Sequence, residues 1–169
     1  HIPFCERKCI YCDFYSIESF RQYDDFLSAL HREISMRAEV LPDDMVFHSL
    51  FFGGGTPSLF SADAIARILD ETGRRFELDA DIEITLEANP GTVEAARFAG
   101  YRDAGVNRLS IGVQSFDPGC LQRLGRIHSA DEARGRWKAS VGPTTEVDCL
   151  LKTVGTFGAS RPVSSMWSA

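Results

Sequence analysis

No stretch of this chain stays apolar long enough to cross a bilayer. The longest apolar-rich run, Val46 to Phe52, is interrupted by His48 and Ser49, whereas a spanning helix needs about 20 residues. Positive charge is scarce: 18 Lys and Arg stand against 24 Asp and Glu, a formal net charge of -6. A general nucleic-acid surface would be basic, so that partner is not expected. There is no nucleotide P-loop, no G-x-G-x-x-G run and no short-period repeat. Nothing marks the chain as secreted, which disfavours a disulfide framework. What is present is 44% hydrophobic and 25% charged over 169 residues, the composition of a soluble globular domain with a real core. Five cysteines suit a reducing, cytoplasmic setting in which thiols stay available for metal.

Three of those cysteines fall within eight residues, as Cys5-x3-Cys9-x2-Cys12. Thiolates are soft ligands for iron–sulfur clusters, zinc or copper. A cubane cluster usually takes four cysteines, so three leave one iron open. An open position is the arrangement of a reactive centre, while closed sites are structural. The spacing therefore points to a [4Fe–4S] cluster held at three irons, with the fourth free for a small molecule. The bland alternatives are a zinc knuckle, a disulfide and buried thiols. Zinc would want a fourth Cys or His at finger-like spacing, and only His1 lies near.

Farther along, the pattern alternates. Apolar residues at Phe26, Leu27, Leu30, Ile34 and Ala38 recur at helical steps, predicting a helix over about 23–40 that Leu41-Pro42 ends. Residues 45–52 read as a buried strand stopped by Gly53-Gly54-Gly55. Ser61 is placed to cap a second helix running to about Arg74. Residues 81–87 alternate as a strand, and Pro90-Gly91-Thr92 opens a third helix stopped by Gly105. A strand over 106–113 and a helix opened by Asp117-Pro118 follow. Strands alternating with helices predict an α/β fold of parallel βαβ units. Parallel strands send their functional loops to one end. The glycine-rich turn, Glu87 and Gln114 all fall at carboxyl ends of predicted strands, so they should converge on one rim.

Each of these residues also has a plain reading. Gly53-Gly54-Gly55-Thr56-Pro57 exposes backbone N–H groups to a ligand, or is an ordinary turn. Glu87 suits an ammonium or ribose hydroxyls, or is a solvated loop acid. Gln114 suits a sugar hydroxyl. Arg126 suits a carboxylate, or is helix surface like Arg123. His31 and His128 read as surface or packing residues, and Cys120 and Cys149 as ordinary thiols.

Taken together, the cysteine triad and Gly53-Gly54-Gly55-Thr56-Pro57 resemble the radical S-adenosylmethionine superfamily. Within it, His1-Ile2-Pro3-Phe4-Cys5, Leu86-Glu87-Ala88-Asn89-Pro90-Gly91-Thr92, Arg108 to Phe116 and Leu124-Gly125-Arg126-Ile127-His128 are similar to the oxygen-independent coproporphyrinogen III oxidase group. The likeness runs from His1 to about Ala133. True oxidases of that group carry a further Cys two positions after the triad, where this chain has Phe14. Cys12-Asp13-Phe14 and the Leu-Gly-Arg-Ile-His run resemble the haem chaperone (HemW-type) branch instead.

The resemblance implies a partial parallel (β/α) barrel, truncated to roughly its first half. It implies Cys5, Cys9 and Cys12 as cluster ligands. It implies S-adenosylmethionine bound by Tyr11, Gly54, Gly55, Thr56, Glu87, Gln114 and Arg126, with haem or porphyrin as a further ligand and haem-accepting proteins as partners. In members that catalyse, one electron from the cluster cleaves the sulfonium. The alternative function within the group is oxidative decarboxylation of coproporphyrinogen III, and the branch leaves open whether the protein is an enzyme.

The likeness stops near residue 134. The family continues into an Asp-Leu-Ile-Tyr-Gly-Leu-Pro-like run with a ribose-binding acid, and nothing here matches it. Residues 135–169 hold 15 Gly, Ser, Thr or Pro and both tryptophans. Four basic and two acidic residues give this segment +2, which leaves -8 on the rest. The expectation is a core half-domain over 1–134 and a non-family tail, poorly ordered or frame-shifted, over 135–169. A first strand before His1 and a downstream domain are expected beyond the given chain.

Overall fold

A computed structural model describes residues 1–90, 92–132 and 145–146, the backbone alone for 92–96 and 145–146. Helix α1 spans Tyr23–Ala38 and strand β1 Val46–Phe52. A short 3-10 turn, Pro57–Leu59, leads into α2, Ala62–Arg75. Then come β2 (Glu77–Ala88), α3 (Thr92–Asp103), β3 (Arg108–Ile111), α4 (Pro118–Arg123) and β4 (Thr145–Glu146). The predicted order holds, with β2 longer and β3 shorter than the pattern suggested. The rest of the tail expected to be non-family lies outside the described residues. Its pair Thr145–Glu146 extends the sheet as a fourth strand beside β3. No helix among the described residues is long and apolar enough to cross a membrane.

The helices start and stop for local reasons. Ser61 Oγ accepts from Ala64 N at 3.1 Å and caps α2. Asp117 Oδ1 accepts from Cys120 N at 2.7 Å and caps α4, with Pro118 at the first helical position. Helix α4 ends at Gly125, which sits at φ 67°. Arg126 N–H donates back to Leu121 O at 2.9 Å and Gly125 N–H to Gln122 O at 3.0 Å. This is the Schellman arrangement, and it turns the chain sharply so that residues 126–128 return toward the sheet.

The sheet is parallel, in the sequential order β1-β2-β3-β4. Sequential order places the connecting helices on one face and leaves the other face for a site, as in a barrel. The helix-side core contains Phe60, Ile65, Ile68, Ile84, Leu86 and Tyr101, with Leu50 and Phe52 packed against it. Burying each large apolar side chain is worth roughly 1.5–3 kcal/mol. The intervening residues point to the opposite, concave face. Phe51 there is 59% exposed. Glu87 of β2 pairs in register with Ser110 of β3, and both line the cavity described next. The period-two alternation of strands thus separates core from site.

The chain before α1 is fastened by the aromatic core. Phe4 is 1% exposed. Its ring lies 5.5 Å from Phe20, 5.4 Å from Phe26 and 5.9 Å from Phe60. Such packing adds about 0.5–1.5 kcal/mol per aromatic pair beyond area burial, and it anchors the residue immediately before Cys5.

Candidate functional site

A cavity of about 520 Å³ opens at the carboxyl ends of β1, β2 and β3. Its volume lies within the usual small-molecule range. All ten residues expected at the site line it: Cys5, Cys9, Cys12, Tyr11, Gly54, Gly55, Thr56, Glu87, Gln114 and Arg126. The convergence expected from strand ends is therefore found.

The glycines serve a purpose that composition did not reveal. Residues 2–5 lie directly on the turn after β1. Ile2 N–H donates to Gly53 O at 2.8 Å, Gly55 N–H to Ile2 O at 2.7 Å, and Thr56 N–H to Phe4 O at 2.7 Å. A Cβ on Gly54 would lie 2.6 Å from Ile2 O, and one on Gly55 2.6 Å from Phe4 O and 2.9 Å from Cys5 Sγ. The close approach is first to the chain's own cysteine-bearing segment. Gly54 also stands at φ 126°, and its N–H donates to Glu87 Oε2 at 3.0 Å. Glu87 thus bridges β2 to the turn.

Thr56, Asn89 and Arg126 complete a chain of contacts across the cavity. Thr56 Oγ1 points at Cys5 Sγ at 3.7 Å. Asn89 Nδ2 donates to Thr56 Oγ1 at 3.3 Å. Arg126 Nη2 donates to Asn89 Oδ1 and to Gly112 O, both at 2.7 Å. Arg126 Nη1 reaches Cys9 Sγ at 3.3 Å and the Tyr11 hydroxyl at 3.4 Å. The two cysteines at either end are thereby tied to one scaffold. Burial pushes the Tyr11 phenol above its ordinary value, while the Arg126 charge pulls it down and a hydrogen bond with Cys9 raises it further. The side chain of Tyr11 therefore belongs to the site as well as its backbone. Arg126 is not plain helix surface: it is half-buried, and its Nε has no hydrogen-bond partner among the described residues.

Sequence reasoning assigned no role to Asn89, although it sits in the quoted Glu-Ala-Asn-Pro run. A buried-strand end followed by Asn-Pro was the only signal. Arg7, Asp13, Phe14, Ser110 and Gly112 also line the cavity.

The donor set fits an iron–sulfur cluster. Three thiols line one cavity beside N–H and O–H donors aimed at two of the sulfurs, and soft sulfur suits iron. Among the described residues, no three His, Cys, Asp or Glu side chains converge as ligands of a single ion. A cluster whose irons each take one thiolate does not require that convergence.

The family model for the radical SAM superfamily matches residues 1–135. The chain is 49% identical over 139 residues to the heme chaperone HemW of Haemophilus influenzae, covering 79% of this chain and 36% of that protein. It is 47% identical over 144 residues to heme chaperone HemW of Escherichia coli strain K12, covering 84% and 38%. Among solved structures it is similar to the coproporphyrinogen III oxidase HemN of Escherichia coli, described as a radical SAM enzyme. That match has a TM-score of 0.77 and 30% identity, covering 87% of this chain and 35% of that one. The chain thus spans little more than a third of the length of these relatives.

Proposed function

The chain belongs to the radical S-adenosylmethionine superfamily, and from that premise we propose that it binds a [4Fe–4S] cluster and S-adenosylmethionine in the cavity and serves as part of a haem chaperone that delivers haem to haem proteins. The carrying observation is the higher identity to the heme chaperones, 49% and 47%, than to the solved oxidase, 30%. Phe14, where the oxidases carry a further cysteine, supports the same reading. The likeness in fold to the oxidase favours the alternative, decarboxylation of coproporphyrinogen III, only at the level of architecture.

In this reading Cys5, Cys9 and Cys12 hold the cluster. When bound, the cluster and S-adenosylmethionine supply one-electron chemistry. The residues of this chain hold and orient. Gly54, Gly55 and Thr56 present backbone to the methionine end of the cofactor. Arg126 takes its carboxylate, Gln114 its ribose, and Glu87 its ammonium or ribose. The partners are haem and a haem-accepting protein, in the cytoplasm.

The test is anaerobic reconstitution followed by haem titration and mixing with an apo-haem protein. Expected results are about four irons per chain, a haem absorption band that survives gel filtration, and transfer of that band to the acceptor. One zinc and no iron would overturn the cluster reading. Loss of carbon dioxide from coproporphyrinogen III without haem binding would replace the chaperone by the oxidase.

A further inference from the structure

The residues just after β3 adopt an uncommon backbone. Gln114 has φ 67°, and it is the only non-glycine with positive φ among the described residues. Ser115 N–H donates to Val113 O at 2.8 Å across it. That closes a three-residue turn of the strained hand, which persists only where surroundings over-determine it. One residue earlier, Val113 N–H donates to Ile111 O at 2.9 Å. Two tight turns follow each other, and the second sets where the Gln114 amide points. Its Nε2 lies 3.2 Å from where a Gly112 Cβ would stand, so it reaches back over Gly112 at the cavity wall.

Two side chains from one short stretch hold these turns. Arg126 Nη2 donates to Gly112 O at 2.7 Å. His128 Nε2 lies 3.0 Å from Val113 O, the carbonyl that also closes the strained turn. A carbonyl only accepts, so Nε2 carries the proton. His128 is 6% exposed, and its Nδ1 has no hydrogen-bond partner among the described residues. A neutral imidazole with one defined N–H is thereby sealed against the turn. The Schellman end of α4 at Gly125 is what delivers both side chains to successive carbonyls.

We infer that His128 is a positioning residue: by holding the Val113 carbonyl it keeps Gln114 in the left-handed conformation that aims its amide into the cofactor cavity. This rests on the reading of Gln114 as an S-adenosylmethionine contact, and it adds a role to the expectation that His128 is a surface or packing residue. The bond, not the volume, should matter. Gln at position 128 can offer an amide N–H at the place of Nε2; Asn offers one only at the place of Nδ1; Leu offers none.

The experiment compares His128→Gln, His128→Asn and His128→Leu with the parent chain, each reconstituted anaerobically. Iron content, S-adenosylmethionine affinity by equilibrium dialysis, and exchange of the Ser115 amide in the metal-free chain are measured. The expected result is full iron in all three and affinity about five- to tenfold weaker in the Leu and Asn variants, the size of one neutral hydrogen bond. The Gln variant should lie within twofold of the parent. Ser115 exchange should quicken by a similar factor in Leu and Asn only. Equal weakening in all three variants, or iron loss in all three, would make His128 a packing residue and overturn the inference. Gln114→Ala is measured beside them. If it binds S-adenosylmethionine like the parent, the contact reading fails, and Ser115 exchange alone decides the clamp: quickened in Leu but not Gln supports it, unchanged in both overturns it.

Discussion

Replacing Gly55 by Ala puts a methyl group into the seam that joins the cysteine segment to the sheet. Its Cβ would stand 2.6 Å from Phe4 O, 3.0 Å from Phe4 C and 2.9 Å from Cys5 Sγ. Ordinary contact begins near 3.4 Å, so the Phe4–Cys5 backbone must retreat by about 0.8 Å. The obstacle is main chain rather than a flexible side-chain end, so rotation cannot relieve it. Retreat stretches two of the three bonds of the seam, Gly55 N to Ile2 O and Thr56 N to Phe4 O, both now 2.7 Å. Each such bond contributes about 0.5–1.5 kcal/mol net, and overpacking costs about 1–3 kcal/mol. The expected loss is therefore roughly 2–6 kcal/mol, a large share of a typical domain's 5–15 kcal/mol. Because Cys5 moves with the seam, cluster loading should fall as well. Urea unfolding of the metal-free chain and iron content after reconstitution are the two assays. Gly73→Ala is the control, since its Cβ would meet only Leu78 Cδ1 at 3.6 Å. It should be neutral or stabilising by about 0.5–1 kcal/mol. Full iron together with an unshifted urea midpoint in Gly55→Ala would refute the seam.

Other expectations follow from the same geometry. Phe4→Ala should cost about 3–5 kcal/mol, because four aromatic neighbours lose their partner; a midpoint shift worth less than 1 kcal/mol would show that the segment is held elsewhere. Arg126→Ala should weaken S-adenosylmethionine binding roughly ten- to hundredfold, the value of a charge-assisted contact, and unchanged dialysis affinity would refute its role. Asn89→Ala should do part of the same damage, since it removes the acceptor that steers Arg126; an affinity equal to the parent's would count against the relay. Burial, then the Arg126 charge, holds the His128 pKa below its ordinary value, against the opposing effects of the Val113 carbonyl and Glu132. The unfolded chain therefore binds more protons below about pH 6.5. The contribution of neutral His128 is fully present above that pH and is lost as pH falls through the folded value. Urea midpoints from pH 7.5 to 5.5 should fall more steeply in the parent than in His128→Gln, and parallel slopes would count against it.

The elements, and the gathering of the candidate site residues around one cavity, were legible from the amino-acid sequence because local rules write them. Helical spacing marked α1 and α2, Ser61 marked the start of α2, Asp117-Pro118 marked the start of α4, and alternation marked β2. The triad Cys5, Cys9 and Cys12 announced itself through spacing alone, since ligands on one short loop need no folding to be close. That Glu87 and Gln114 share a rim followed from parallel topology. What the sequence could not determine were contacts set by tertiary approach. Cys9 and Arg126 are 117 residues apart, and Cys5 and Thr56 are 51 apart. The period-two pattern says which side of a strand a residue faces, but not which partner meets it. So Asn89 carried no role until β2 and the 124–128 stretch were brought together, and a reading of His128 as surface or packing could not name the Val113 carbonyl that meets its ring. The three glycines looked like a ligand cradle, whereas Gly54 and Gly55 are first required by the close approach of Ile2 and Phe4. Thr145–Glu146 pairs with β3, although two residues are too few to show the period of a strand. Local pattern follows from the chain's own stereochemistry, and long-range pairing from which surfaces remain to be covered once the elements pack.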